Sequence, residues 1–154
     1  MKKEDVIYIA ILLDQQSREK CRKIGDDITK GKKDYLAQQF VFECEHMTLA
    51  FGDSVTQELV QMVGTPVTAL HPSDLLMDNY DCAGLFFKRK ELTSREIPFM
   101  GKYLHITIMH PAFIPPKEVG CIPERNHACY KADPTYSMSG VIAAYTQKGW
   151  VTKQ

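Results

Sequence analysis

The chain has no surplus of charge of either sign: 19 Lys+Arg stand against 19 Asp+Glu in 154 residues. That balance excludes a strongly basic nucleic-acid coat protein and a polybasic membrane binder, both of which gain affinity by neutralising many phosphates at once. It leaves room for a small basic cleft around one phosphate. No C-x-x-C occurs, and the five cysteines (Cys21, Cys44, Cys82, Cys121 and Cys129) are odd in number and irregular in spacing. This argues against a disulfide framework and for reduced thiols, so a cytoplasmic location is expected, or the host cytoplasm for a viral protein. Cys121, His127 and Cys129 lack the fourth ligand and the spacing of a zinc finger. A set of Cys44, His46 and His105 is the weaker alternative, and neither a metal nor a cofactor is expected.

Long apolar runs are missing as well. Val6 to Leu13 follows Lys2 and Lys3 and faintly copies a signal peptide. Glu4 and Asp5 interrupt the approach to it, Asp14-Gln15-Gln16 follow, and no small-residue cleavage site is present. A run this short falls far below the length that spans a bilayer, so no membrane partner is expected. Low-complexity segments and dividing linkers are absent too, and residues 1–154 are expected to be a single domain. The 44% hydrophobic and 25% charged content is that of a soluble globular protein. A chain of this length buries roughly 68–70% of its unfolded surface without needing staples.

What is present reads as a mixture of strands and helices. Val6 to Leu13, rich in branched apolar residues, predicts a buried strand. Ser17 is the expected cap of a helix in which Cys21, Ile24 and Ile28 recur at helical spacing; Gly25 weakens it and Gly31 stops it. Residues 39–51 predict a second strand region, and Asp53 or Ser54 an N-cap for a short helix ending at Gly64. Further strands are expected over Pro66 to Leu70 and residues 82–88, with a turn over residues 71–74. A strand is also expected over residues 103–109 and another over residues 136–146. Pro111, Pro115 and Pro116 break regular structure. Residues 120–134 read as loop, and residues 148–154 as a polar tail containing Trp150.

One short pattern occurs twice: His46-Met47-Thr48-Leu49 and His105-Ile106-Thr107-Ile108. In a strand, residues i and i+2 share a face. Each copy therefore sets a histidine and a threonine on one side and two apolar residues on the other. On a helix the same pair diverges by about 200°. An imidazole exchanges protons near neutral pH, so one serves as base while a second serves as acid. A threonine hydroxyl on the same face donates a hydrogen bond to a phosphate oxygen. Two such pairs facing a cleft would hold a phosphodiester between two imidazoles.

These two motifs resemble the paired histidine signatures of the 2H phosphoesterase superfamily, which includes RNA 2′,5′-ligase-like proteins, the cyclic phosphodiesterase domains of tRNA ligases, and viral enzymes that degrade cyclic or 2′,5′-linked oligonucleotides. The run His46-Met47-Thr48-Leu49-Ala50-Phe51-Gly52 is especially similar to the first motif of the tRNA-ligase-like branch. The resemblance implies an α+β, two-lobed, pseudo-twofold fold in which antiparallel sheets line a central cleft, with helices outside. It implies His46 and His105 as the catalytic pair and Thr48 and Thr107 as phosphate-binding residues. The chain departs from a neat internal copy after Met109, where no helix is predicted to back the second lobe.

Around the site, Tyr8, Phe42, Tyr103 and Trp150 are candidates for stacking on a nucleobase. Lys102 is a candidate for neutralising a phosphate. His110, five residues from His105, is expected on the opposite face. The function expected from all this is metal-independent hydrolysis of a nucleotide phosphodiester, either a 2′,3′-cyclic phosphate RNA end or a cyclic or 2′,5′-linked oligonucleotide. The alternative is a binding module that sequesters a signalling nucleotide or RNA end without cleaving it. The motifs leave open which histidine is base and which acid, and the sequence is silent on oligomeric state.

Overall fold

The structure is a computed structural model that describes residues 1–30 and 39–154. It is an α+β arrangement of two antiparallel five-stranded sheets with few helices. In the first sheet, β1 (Val6–Leu13) lies between β3 (His46–Phe51) and β9 (Met138–Thr146). β9 also pairs with β4 (Pro66–Leu70) and β10 (Gly149–Val151). The second sheet runs in the order β2 (Phe40–Phe42), β7 (His105–Pro111), β6 (Ala83–Phe86), β5 (Asp74–Asp78), β8 (His127–Lys131). Among the described residues no helix is long and apolar enough to cross a membrane.

Helix α1 (Gln15–Thr29) follows β1, and the expected apolar stripe faces inward, with Cys21 fully buried and Ile24 and Ile28 packed against the core. Its cap is corrected from Ser17 to Asp14, whose carboxylate accepts from the Ser17 N–H at 2.8 Å. Ser17 lies within the first turn, and its hydroxyl accepts the Ser139 N–H at 2.8 Å, which ties the helix to β9. Gly25 has a packing reason: a Cβ there would lie 2.7 Å from the Phe42 ring. The stop expected at Gly31 lies outside the described residues.

Residues 39–51, expected as one strand region, divide between the two sheets. β2 pairs with β7 and β3 pairs with β1. At the junction Cys44 adopts φ +48°. The N–H groups of Glu43 and Cys44 still donate to β7, at the Ile108 and Thr107 carbonyls (3.1 and 2.9 Å), whereas the Glu45 carbonyl already accepts from Leu13 of β1 at 2.9 Å. The chain thus leaves one sheet and enters the other within three residues. No glycine or proline marks the crossing, which is why turn chemistry does not reveal it.

Four smaller expectations are also corrected. Helix α2 (Gln57–Gln61) is capped by Thr56, which accepts from Leu59 N–H at 3.2 Å, while the Ser54 hydroxyl binds back to Phe51. The turn expected over residues 71–74 gives way at Asp74 to β5 (Asp74–Asp78), a strand the sequence pattern did not predict. Residues 120–134 are not all loop, because a 3-10 helix, Pro116–Glu124, and then β8 occupy much of the region. The C-terminal tail contains β10. β8 is exposed along its whole length, so it shows none of the burial alternation by which strands are recognised.

A single cluster of buried residues draws on both sheets. It includes Ile9 and Ile11 of β1, Met47 and Leu49 of β3, Leu85 of β6, and Ile106 and Ile108 of β7. Packing between the sheets thus sets β3 and β7 side by side.

Candidate active site

Strand alternation places the motif residues as the sequence predicts. β3 buries Met47 and Leu49 and leaves His46 and Thr48 partly exposed; β7 buries Ile106 and Ile108 and leaves His105 and Thr107 partly exposed. The crossing at residues 43–45 brings the two faces to one cleft of about 530 Å³, lined by both histidines and both threonines. Tyr8, Glu43, Glu45, Phe51, Pro116 and Lys117 complete its walls. No hydrogen bond among the described residues engages the Thr48 or Thr107 side chain.

Each imidazole is held through Nδ1. His46 Nδ1 donates to the Glu45 carboxylate at 3.1 Å, and His105 Nδ1 donates to the Tyr103 carbonyl at 3.0 Å. A neutral ring that donates from Nδ1 keeps an unprotonated Nε2, so each ring retains one nitrogen for chemistry. His46 packs near Tyr8 and Trp150, with ring centres at 5.4 and 5.6 Å. Phe86 stacks on His105 at 5.4 Å. Gly120 also lies against His105, and a Cβ there would sit 2.8 Å from the ring carbon Cε1.

Burial holds both histidines below their ordinary pKa. At His46 the Glu45 hydrogen bond and the charges of Glu45 and Glu43 oppose that effect, while Arg18 adds to it. At His105 the Tyr103 carbonyl opposes it and the charge of His46 reinforces it.

Two carboxylates line the cleft, and each has a histidine partner. Glu45 holds His46, and Glu43 accepts from Nε2 of the buried His110 at 3.0 Å. The expected placement of His110 on the face opposite His105 is corrected: the β7 ladder carries an extra residue between Thr107 and Met109, Ile108 and Met109 are both buried in the core, and His110 reaches the cleft carboxylate Glu43. Lys117, exposed at the rim, forms no ion pair among the described residues. Lys102, by contrast, pairs with Glu124 at 2.9 Å.

The aromatic candidates separate. Tyr8 forms part of the cleft wall, stacked on Phe51 at 5.8 Å and on Tyr145 at 5.1 Å. Burial, with the Glu45 charge, pushes its phenol up to about 12. Trp150 packs edge-on against Tyr8 at 5.5 Å, so it belongs to the same cluster beside His46. Tyr103 lines an adjoining compartment of about 330 Å³ that shares Thr48, Phe51, His105 and Lys117 with the main cleft. Phe42 is corrected as a stacking candidate. Its ring packs at Gly25 with the Arg22 guanidinium 3.8 Å above it, and it does not line the cleft.

The Cys44 thiol is buried and donates to the Ile108 carbonyl at 3.3 Å. Cys129 donates to Asp74, and His127 to the Arg125 carbonyl. No group of three or more metal-ligating side chains is assembled among the described residues.

Sequence reasoning missed Glu43, Glu45, Lys117 and Gly120. Alternation argues against Glu45 reaching His46, since adjacent residues on a strand point to opposite faces. The left-handed backbone at Cys44 breaks that rule just before β3 begins. Compared with known proteins, the chain matches no family model and no curated protein.

Proposed function

We propose that this protein is a phosphodiesterase that hydrolyses a nucleotide phosphodiester by paired-histidine acid–base catalysis without a metal, and that it is a two-lobed, pseudo-twofold member of the 2H phosphoesterase superfamily. The observation that carries this reading is the convergence of the two His-x-Thr pairs, from strands of different sheets, on one cleft, with each imidazole fixed through Nδ1. The phosphate would lie between the two Nε2 atoms. The Thr48 and Thr107 hydroxyls would donate to its non-bridging oxygens, and Lys117 would offset its charge from the rim. One imidazole takes a proton from the attacking oxygen while the other gives one to the departing oxygen. The Tyr8, Phe51 and Trp150 cluster offers aromatic surface for a nucleobase. The substrate classes that fit are a 2′,3′-cyclic phosphate RNA end and a cyclic or 2′,5′-linked oligonucleotide.

The test is hydrolysis in excess EDTA, read by chromatography. The panel holds 2′,3′- and 3′,5′-cyclic mononucleotides, cyclic di- and trinucleotides, and 2′,5′-oligoadenylate. Turnover is expected for at least one member, with a loss of about 10²–10⁴-fold in His46→Ala and in His105→Ala. Near wild-type rates in either variant would overturn the mechanism. Tight binding with the nucleotide recovered unchanged would favour a sequestering module instead.

A further inference from the structure

The His105 imidazole is confined by two surfaces that lie outside its own strand. Phe86 of β6 stacks on the ring at 5.4 Å, and a Cβ at Gly120 would come within 2.8 Å of the ring carbon Cε1. Gly120 belongs to the 3-10 helix Pro116–Glu124, which also brings Lys117 to the cleft. The ring of one motif histidine and a cation at the rim therefore depend on where this one element sits.

A 3-10 helix has poor internal hydrogen-bond geometry, so its surroundings decide its position. This one buries Val119 and Ile122 in a small apolar cluster with Leu76, Cys82 and Phe86, separate from the main core. Apolar burial selects the face that turns inward but is non-directional, so it sets rotation and sliding only loosely. Directional ties come from Arg125, the first residue beyond the helix. Its Nη2 donates to the Glu118 carbonyl at 2.8 Å, reaching back from one end of the helix to near the other, with the Glu118 carboxylate 3.7 Å from Nη1. The same guanidinium donates from Nε and Nη2 to Asp78 of β5, at 3.0 and 2.6 Å. Asp78 is itself fixed by the N–H groups of Tyr80 and Cys82, at 2.9 Å each. A planar group with donors in fixed directions thus joins the helix to the second sheet in one orientation. The helix has another ion pair, Glu124 with Lys102 at 2.9 Å, but both side chains are exposed, and such pairs hold geometry weakly. Arg125 itself lines neither compartment of the cleft.

We infer that Arg125 is a positioning residue for the reaction: through the 3-10 helix it sets the His105 imidazole and the Lys117 ammonium in the cleft together. The kinetic part of this inference rests on the phosphodiesterase reading. A shift of the helix moves His105 away from the oxygen with which it exchanges a proton, which lowers kcat. The same shift moves Lys117 away from the phosphate, which raises KM. A residue that only stabilised the fold would change the fraction of folded protein and neither constant.

The experiment uses the full chain with two variants, Arg125→Lys and Asp78→Asn. In Arg125→Lys an ammonium still balances Asp78, but it lacks the fork that reaches Asp78 and the Glu118 carbonyl at once. Asp78→Asn removes the charge that orients the guanidinium and leaves no carboxylate to strand. Urea unfolding identifies conditions in which the variants are folded. In proton–carbon NMR spectra the His105 Cε1–H resonance, assigned by its loss in His105→Ala, is expected to move in both variants while that of His46 stays in place. On the best-cleaved member of the panel above, kcat per folded molecule is expected to fall by about tenfold, as for a reacting group displaced by a fraction of an ångström. KM is expected to rise in both variants, whereas Lys117→Ala should raise KM alone. An unmoved His105 resonance, or wild-type kcat, in a folded variant would overturn the inference and leave Arg125 as a support of the fold alone. Wild-type inactivity on the whole panel would instead overturn the phosphodiesterase reading, and the NMR comparison would still decide whether Arg125 positions His105.

Discussion

At Gly120 the ring of His105 leaves no room for a side chain, because a Cβ would lie 2.8 Å from Cε1. Gly120→Val should therefore displace the imidazole and lower kcat by about 10²-fold, the cost of misplacing a reacting group by about 1 Å. The circular dichroism spectrum should be unchanged, and unaltered kcat would show that the ring is not held from this side. Asp14 illustrates a different kind of residue-level effect. Asp14→Ala removes the acceptor for the Ser17 N–H and should cost about 1 kcal/mol, read as a lower urea midpoint at constant slope. Ser17 and Asp14 are both good caps by type, and the sequence does not discriminate between them. The Ser139 N–H of a strand more than a hundred residues away claims the Ser17 hydroxyl, which is a tertiary fact.

Among the elements, the 3-10 helix Pro116–Glu124 carries Pro116, Lys117 and Gly120 to the site, and an ion pair between the half-buried Arg125 and a buried carboxylate pins it. Asp78, at the end of β5 and nearly inaccessible, accepts from Arg125 Nε at 3.0 Å and Nη2 at 2.6 Å, and from the N–H groups of Tyr80 and Cys82 at 2.9 Å each. Arg125 also donates to the Glu118 carbonyl at 2.8 Å, so it ties the 3-10 helix to the second sheet. Arg125→Ala strands the Asp78 carboxylate and should destabilise the protein by about 3 kcal/mol, measured by urea unfolding at neutral pH. The effect is pH-dependent with a defined sign. Burial alone would raise the Asp78 carboxyl, but Arg125 and the two backbone donors hold it below its ordinary range. The folded value therefore lies below the unfolded one. The stabilisation is complete above the ordinary carboxylate range and is lost as pH falls through the lowered folded value. Wild type should lose more stability than Arg125→Ala between pH 7 and pH 3. Parallel pH dependences would show that the pair contributes nothing to acid sensitivity.

Across the whole molecule, one apolar cluster joins the two sheets, with Ile9 and Met47 on one side and Leu85 and Ile106 on the other. Unfolding should accordingly be a single transition. Trp150, the sole tryptophan, reports on the first sheet, and far-UV circular dichroism reports on both. Their urea curves should coincide, and separated midpoints would mean that the sheets unfold independently. Ile106 is fully buried on β7 between His105 and Thr107, and Ile106→Ala should cost about 2–5 kcal/mol in that same transition.

The sequence by itself determined which residues face the cleft on each motif strand. Period-two alternation is a local property of extended backbone, so His46 with Thr48 and His105 with Thr107 are legible wherever a strand forms. The apolar stripe of α1 is legible from a different local period, that of the helix, and β1 from its continuous run of branched apolar residues. The tertiary structure alone decided that the two motif strands belong to different sheets, because the crossing at residues 43–45 uses a left-handed Cys44 and no glycine or proline. It also decided that Phe42 packs under α1 while Tyr8 and Trp150 sit beside His46, since strand periodicity gives a face but not a neighbour. Only the fold, finally, placed a carboxylate behind one imidazole and a carbonyl behind the other, and so distinguished two histidines that their motifs leave equivalent.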